Sequence, residues 1–244
     1  MGTDRIHPRI LALRLLAEFA IIFVGVVLAF QFESWNDRRS EYDRETEQLR
    51  ALASDFDLNK AALATTIEDQ AASVEEINTW RLALSGRPIT ISLDSLARMY
   101  PSALSWFAEE TVSGAWDALL ASGDAGLISD SDLRGRLAAF YGWLDLGFED
   151  HDNEMDVLMA LTEFSKVELG PMTDPVIASF TRDSSLPPYD TMLVRDLLER
   201  PGHWGLVSMK WSVASNRLER LKWLQANADT ISQLIDSELA NRND

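Results

Sequence analysis

The chain has 244 residues, of which 46% are hydrophobic, so it is long enough to bury the core of one substantial domain. Its 22 Lys and Arg stand against 39 Asp and Glu, and this net charge of −17 argues against nucleic acid as a partner, because polyanions are repelled. The absence of cysteine excludes disulfides, thiolate metal sites and cysteine nucleophiles.

The first predicted element is an apolar helix near the N-terminus. The run over residues 15–32 is interrupted only by Glu18 and Gln31. Its length as a helix is about 27 Å, close to the roughly 30 Å hydrocarbon core of a bilayer. Bulky aromatic residues follow the run where a signal peptidase would need small ones, and the run has no polar face to suit a buried core helix. The sequence therefore predicts a transmembrane signal-anchor helix over residues 15–35, with Trp35 as its anchor at the membrane interface.

The orientation of this span depends on charge. Three arginines precede it and three follow it closely, so the count of positive residues is a tie. The leader is short and net positive, whereas the segment after the span mixes its arginines with acids, which favours a cytoplasmic N-terminus. We expect a basic cytoplasmic leader over residues 1–14, the span over 15–35, and an extracytoplasmic, periplasmic helical domain over 36–244.

Four positions at the start of and within the predicted span lie along one stripe: Arg14, at the end of the leader, and Glu18, Gly25 and Ala29 follow spacings of four, seven and four. Gly25 and Ala29 form a small-xxx-small pair that lets another helix approach closely, and Glu18 is costly at the membrane margin unless it is paired. One interpretation is a docking face for another membrane helix. The other is a local pair between Arg14 and Glu18 at headgroup level, with an incidental glycine. The sequence leaves both open.

Helical spacing of apolar residues continues after the span. It predicts six helices, over about 10–84, 93–98, 109–122, 130–164, 189–199 and 204–240, the fourth of which begins at Ser129 or Asp130. Gly86 and Gly123 are the expected C-terminal caps of the first and third helices, and residues 89–91 are expected to form an extended linker. The expected fold class is all-α. One N-terminal transmembrane helix continues into an extramembrane helical bundle of three long helices with short connecting helices.

The stretches "LAEFAIIFVGVVLAFQFESWND" and "GAWDALLASGDAGLISDSDLRGRLAAFY" carry a family resemblance. They resemble a family of uncharacterised bacterial single-span membrane proteins with an E-F-apolar-G-V-apolar-A-x-Q-x-x-x-W-N type anchor. The matching residues are Glu18, Gly25, Gln31, Trp35 and Asn36 in the anchor, and Trp116, Ser122, Gly123, Leu133 and Tyr141 in the middle. The resemblance implies a bacterial inner-membrane location and supplies no activity.

The cluster "FEDHDNEMD" at 148–156 is the most suggestive stretch for chemistry. His151 and Glu154 have the i, i+3 spacing of metal ligands, although in the reverse order from di-iron bundles, which also need a second such motif. We favour a solvated acidic face. No nucleotide-binding or hydrolase motif occurs. The sequence therefore predicts no enzyme, no cofactor and no metal site, and a metal-dependent enzyme using this cluster is the weakest of three hypotheses.

The eight tryptophans suit either a core or a contact surface. We expect three of them in the core: Trp116, Trp143 and Trp211. Four others are less tied to the apolar stripes and are candidates for exposed partner contacts: Trp80, Trp106, Trp204 and Trp223.

Together these features predict a non-enzymatic accessory or scaffolding subunit of a larger bacterial membrane complex, for which an energy-transducing assembly is one candidate. The expected partners are the lipid bilayer and other membrane protein subunits, and homo-oligomers stay open. The alternative is an extracytoplasmic sensory or ligand-binding bundle. It would have to act through a partner protein, because the short leader is too small to be an output module.

Overall fold

The computed structural model describes residues 8–88, 90–107, 110–169 and 191–242, and the regular structure in these ranges is entirely helical. Helix α1 spans Pro8–Leu84, α2 Leu93–Ala103, α3 Gly114–Ser122, α4 Ser131–Leu169, α5 Thr191–Glu199 and α6 His203–Asn241, with a 3-10 helix at Asp124–Leu127. The predicted all-α bundle of three long helices with short connecting ones is confirmed.

Several helix ends fall where the local sequence places them. Gly86 after α1 and Gly123 after α3 have positive φ angles of 74° and 75°, which favour glycine as a C-terminal cap. The carboxylate of Asp130 accepts hydrogen bonds from the backbone N–H groups of Asp132 and Leu133, so it caps the start of α4. These turns are therefore set by residues within a few positions of each helix end.

Two short helices differ from their predicted bounds. Helix α2 continues past the predicted end at 98 to Ala103, and the backbone N–H of Leu104 closes it on the carbonyl of Pro101. Helix α3 begins at Gly114 rather than near 109. The amide of Asn59 on α1 donates to the carbonyl of Val112 and accepts from its N–H, and these bonds occupy the backbone groups that a longer helix would use.

The core consists of two clusters along the bundle. In the first, α1 packs against α4 and α6 through aliphatic and aromatic side chains that include Leu49, Leu52, Phe56, Leu133, Leu137, Phe140, Leu221 and Ile231. In the second, α1 meets the short helices α2 and α5 through Ile77, Trp80, Leu96, Tyr100 and Leu197. Each fully buried side chain of this kind contributes about 1.5–3 kcal/mol. The apolar residues that recur at helical spacing between Leu49 and Ile77 of α1 thus face the core.

The side chains of helix α1 change from uniformly exposed to partly buried at Glu45. From residue 22 to residue 44 every side chain is exposed, whereas burial begins at Glu45 and recurs along the stripe from there on. The first part of α1 therefore projects beyond the bundle. Within the described residues, no helix has a stretch long and apolar enough to cross a membrane. The span predicted over residues 15–35 falls partly on positions 15–17, 20 and 21, whose side chains lie outside the described ones.

Candidate functional site

The projecting part of α1 carries the largest group of exposed apolar side chains in the described chain. We call its described residues 18, 19 and 22–35 the apolar segment. The exposed fraction of its large apolar residues runs from 38% at Val27 to 68% at Phe19. The set comprises Phe19, Ile22, Phe23, Val24, Val26, Val27, Leu28, Phe30, Phe32 and Trp35. Because these positions are nearly consecutive, they cover every side of the helix. Contiguous exposed apolar surface of this kind marks an interaction site.

A polar clamp holds α1 where it enters the bundle. The buried carboxylate of Glu45 accepts hydrogen bonds from the backbone N–H and hydroxyl of Ser129 at 2.7 and 2.9 Å, and pairs with Arg242 at 2.7 Å. Burial alone would raise the pKa of Glu45, but the bonds from Arg242 and Ser129 outweigh it and lower that pKa. The guanidinium of Arg242 also lies over the ring of Tyr42. The clamp thereby joins α1 to the start of α4 and to the end of α6.

A buried charged centre joins α4 to α6. The two carboxylate oxygens of Glu154 bind Lys210 Nζ at 2.7 Å and Arg217 Nη1 at 3.0 Å, and Lys210 also donates to the carbonyl of Ser105. All three charged side chains are at least 96% buried. Burial opposes ionisation of Glu154, yet the charges of Lys210 and Arg217 hold its pKa below the ordinary value. The carboxylate is therefore fixed as an anion between two cations.

This centre corrects two predictions. The cluster at 148–156 was expected to form a solvated acidic face, which holds for Asp152 and Asp156 but is wrong for Glu154, because α6 covers it. The side chain of His151 lies outside the described residues. The basic patch of α6 and the acidic character of α1 predict that these two helices pack side by side through charge pairs. Lys210 and Arg217 instead bind Glu154 on α4. Among the residues that the structure describes, no group of three or more His, Cys, Asp and Glu side chains could hold a metal ion.

A buried histidine lies in the second core cluster. His203 is fully buried, with Nδ1 3.1 Å from the carbonyl of Leu197 and Nε2 3.3 Å from the hydroxyl of Tyr100. A carbonyl only accepts, so Nδ1 carries the proton and Nε2 accepts from Tyr100. The ring of Phe164 stacks on the imidazole at 5.2 Å between centroids. Burial, as the main cause, lowers the pKa of His203 and keeps its ring neutral.

The neutral ring of His203 is expected to make the protein less stable as the pH falls below about 6.5. The unfolded chain binds a proton there while the folded chain does not, so the free energy of unfolding declines towards the lowered pKa of the folded state. Urea unfolding between pH 7.5 and pH 5 measures this decline, and His203→Gln should flatten it. An unchanged pH dependence in the variant would show that His203 is not the group responsible.

The tryptophans divide differently from the sequence-based expectation. Trp80 was a candidate exposed contact, which is wrong, since it is fully buried and donates its indole N–H to the carbonyl of Leu96 at 2.8 Å. Trp143 was expected in the core, which is also wrong, because it is 40% exposed and its ring meets that of Trp223 at the surface, 5.2 Å away. Trp116 is buried as expected.

The remaining tryptophans lie nearer the surface. Trp106 and Trp211 are partly buried, and the guanidinium of Arg81 lies 4.3 Å from the ring centroid of Trp211. Trp204 and Trp223 are 49% and 43% exposed. The role of Trp106, Trp204 and Trp223 as partner contacts stays a prediction.

The predicted docking stripe lies within the apolar segment. Glu18, Gly25 and Ala29 are exposed, and the side chain of Arg14 lies outside the described residues. Apart from the backbone of its own helix, a Cβ atom added at Gly25 would meet no atom of the described chain within 4 Å. The stripe is therefore open to an approaching helix, and its docking role stays a prediction.

A cavity between α3 and α4 was not predicted from the sequence. Its volume is about 550 Å³, and the rings of Trp116 and Tyr141, stacked 5.5 Å apart, line it together with Asp117 and Leu120. The Tyr141 hydroxyl is buried and has no hydrogen-bond partner among the described residues. The pKa of Tyr141 is raised mainly by burial and further by the negative charges of Asp55 and Asp117. Cavities of this size accept small molecules.

Comparisons with protein-family models, with curated proteins and with solved structures found no match to this chain. The family resemblance of the anchor residues stays a prediction. The function of the protein therefore has to be inferred from its own side chains.

Proposed function

We propose that this protein is a non-enzymatic accessory subunit of a bacterial membrane complex. In this proposal the stretch over residues 15–35 lies in the bilayer, and both it and the bundle bind other subunits. The observation that carries the proposal is the exposure of the apolar segment on every side of α1, set against the burial that begins at Glu45 in the same helix.

A lipid bilayer suits this pattern of exposure better than a single protein partner does. Taking each large apolar side chain out of water is worth about 1.5–3 kcal/mol. A protein surface would cover one face of the helix, whereas hydrocarbon covers all of them. The backbone of a helix satisfies its own hydrogen bonds, which is the condition for entering hydrocarbon.

The proposed topology has a cytoplasmic N-terminus and a periplasmic bundle. The leader carries positively charged residues, and cytoplasmic flanks of spans are enriched in them. The remainder of the chain holds most of the acidic residues. The clamp at Glu45 holds the bundle within about 15 Å of Trp35 along the helix, on whichever side of the membrane the bundle lies. The protein would then present a fixed surface just above the membrane.

Substituting isoleucine for Gly25 is expected to weaken assembly with other membrane helices while the bundle stays folded. A Cβ atom added at Gly25 meets no atom of another element among the described residues, so the bulk is directed at an incoming helix. Native gel sizing after gentle detergent extraction measures the assembly, and circular dichroism checks the fold. Val24→Phe is the matched control, because it adds bulk on a different side of the same helix. Equal assembly of Gly25→Ile and wild type would refute the docking stripe.

The proposal as a whole is tested by extracting the protein gently from native membranes and identifying the co-purifying molecules by mass spectrometry. A large stoichiometric assembly containing other subunits is expected. A lone monomer or homodimer would contradict the accessory role. A monomer that carries a small molecule would instead favour a ligand-binding bundle acting through a partner protein, with the cavity at Trp116 and Tyr141 as the place to look.

A further inference from the structure

Directly after the apolar segment, α1 carries a face that is both aromatic and cationic. We call it the headgroup face. It consists of Trp35, Arg38, Arg39 and Tyr42, which lie on one side of the helix because their spacing is three, four and seven. The guanidinium carbon of Arg39 lies 5.7 Å from the ring centroid of Trp35. These four residues and Asp43 line a shallow depression of about 420 Å³.

The two arginines of the headgroup face pair with no acidic side chain in the part of the chain that the structure describes. Arg38 and Arg39 are exposed and form no ion pair within the described chain. Two nearby acids, Glu33 and Asp37, lie on the opposite side of the helix, and Glu41 lies beside Arg38 at the edge of the face, at i, i+3. Asp43 lies at the edge of the depression and is the one carboxylate among its lining residues. The residues that line the depression therefore carry two positive charges and one negative charge.

The same side of α1 becomes apolar towards the N-terminus. Phe32 contacts Trp35 with 6.0 Å between ring centroids, and Leu28 and Val24 continue the stripe. The order along about 20 Å of helix is aliphatic, aromatic and then cationic. A phospholipid has the matching order of acyl chain, glycerol ester and phosphate.

We propose that the headgroup face binds an anionic phospholipid, with Arg38 and Arg39 on the phosphate, Trp35 at the glycerol ester, and Phe32 and Leu28 along an acyl chain. Guanidinium groups form paired hydrogen bonds to phosphate oxygens, and an unpaired guanidinium is available to do so. A zwitterionic lipid should bind less well, because it would bring its own cation next to the two arginines. This inference rests on the proposed function, because it requires the apolar segment to lie in a bilayer.

The test uses the full chain in detergent with native mass spectrometry. Phosphatidylglycerol and phosphatidylcholine with identical acyl chains are added at equal concentration, and the lipid retained by the protein is counted. Wild type is expected to retain about tenfold more phosphatidylglycerol, since each arginine near a lipid surface strengthens binding severalfold. The double variant Arg38→Gln, Arg39→Gln should lose this preference. The matched control is Arg50→Gln, Arg87→Gln, which removes two exposed arginines elsewhere and should keep it.

Three results would overturn the inference: wild type without a preference, a double variant that keeps it, or equal competition by soluble glycerol phosphate. The last result would show that free phosphate groups suffice without acyl chains. Flotation of the same proteins on phosphatidylglycerol vesicles separates this inference from the proposed function. If wild type floats but has no lipid preference, only the headgroup face is refuted. If wild type fails to float, the proposed membrane location is refuted as well.

Discussion

Replacing Glu154 with alanine is expected to lower the free energy of unfolding by about 3–5 kcal/mol, which is a large part of the stability of a typical domain. The carboxylate neutralises Lys210 and Arg217 in a region where neither cation reaches water. Removing it leaves two like charges buried side by side. Urea unfolding of the full chain in detergent, followed by circular dichroism, measures the loss.

A matched control for this variant is available two residues away. Asp152 is an exposed carboxylate on the same helix, and Asp152→Ala should change stability by no more than about 0.5 kcal/mol. If Glu154→Ala does not fold, the triple variant Glu154→Leu, Lys210→Met, Arg217→Leu shows whether the buried positive charges are the cause of the unfolding. It should be more stable than Glu154→Ala, because it also removes the two buried cations that the lost carboxylate had balanced. Equal effects of Glu154→Ala and Asp152→Ala would contradict the role of the buried centre.

Introducing two aspartates into the apolar segment is expected to release the protein from membranes. Phe23→Asp and Val26→Asp each place a charge near the middle of the proposed span, at a cost of about 2.5–3.5 kcal/mol per residue. The sum of about 6 kcal/mol corresponds to a shift of more than a thousandfold in partitioning. Flotation on phospholipid vesicles measures the bound fraction.

The control for this variant uses apolar residues that are equally exposed but lie on the bundle. Leu58 and Leu120 are 57% and 54% exposed, compared with 60% and 48% for Phe23 and Val26. Leu58→Asp and Leu120→Asp together should leave flotation unchanged. If the Phe23 and Val26 variant floats like wild type, the apolar segment is not the anchor.

Local signals account for the parts of the fold that could be predicted from the sequence. The spacing of Leu49, Leu52 and Phe56 identifies the buried face of α1, because helical periodicity depends only on neighbours along the chain. Gly86 and Gly123 mark helix ends for the same reason. Such signals determine which side of a helix faces the core.

Pairings between distant helices could not be predicted in this way. Glu154 meets Lys210 and Arg217 only because α4 and α6 pack in a particular register, which no local pattern encodes. Without that register, an acidic stretch at 149–156 resembles a solvated face. Trp80 was misassigned for a related reason, since α2 folds over it and accepts its indole hydrogen bond.

The candidate site was partly predictable. The apolar run and the tryptophan after it are neighbours in the sequence and lie on the same continuous helix, α1. The sequence alone could therefore predict that they form one apolar surface. The headgroup face required side-chain geometry. The sequence shows arginines and acids mixed over 33–45, whereas the structure places Glu33 and Asp37 away from the face and gives Arg38 and Arg39 no ion pair within the described residues. The cavity at Tyr141 likewise depends on two helices meeting.

The depth of the apolar segment in a bilayer tests the proposed function most directly. The chain contains no cysteine, so Val26→Cys and Leu58→Cys each give a unique site for a spin label. Both positions are exposed on α1, one in the apolar segment and one on the bundle. In reconstituted vesicles, the label at position 26 should be accessible to oxygen and shielded from a water-soluble nickel complex, and the label at position 58 should show the reverse. Equal access of the nickel complex to both labels would contradict the membrane location.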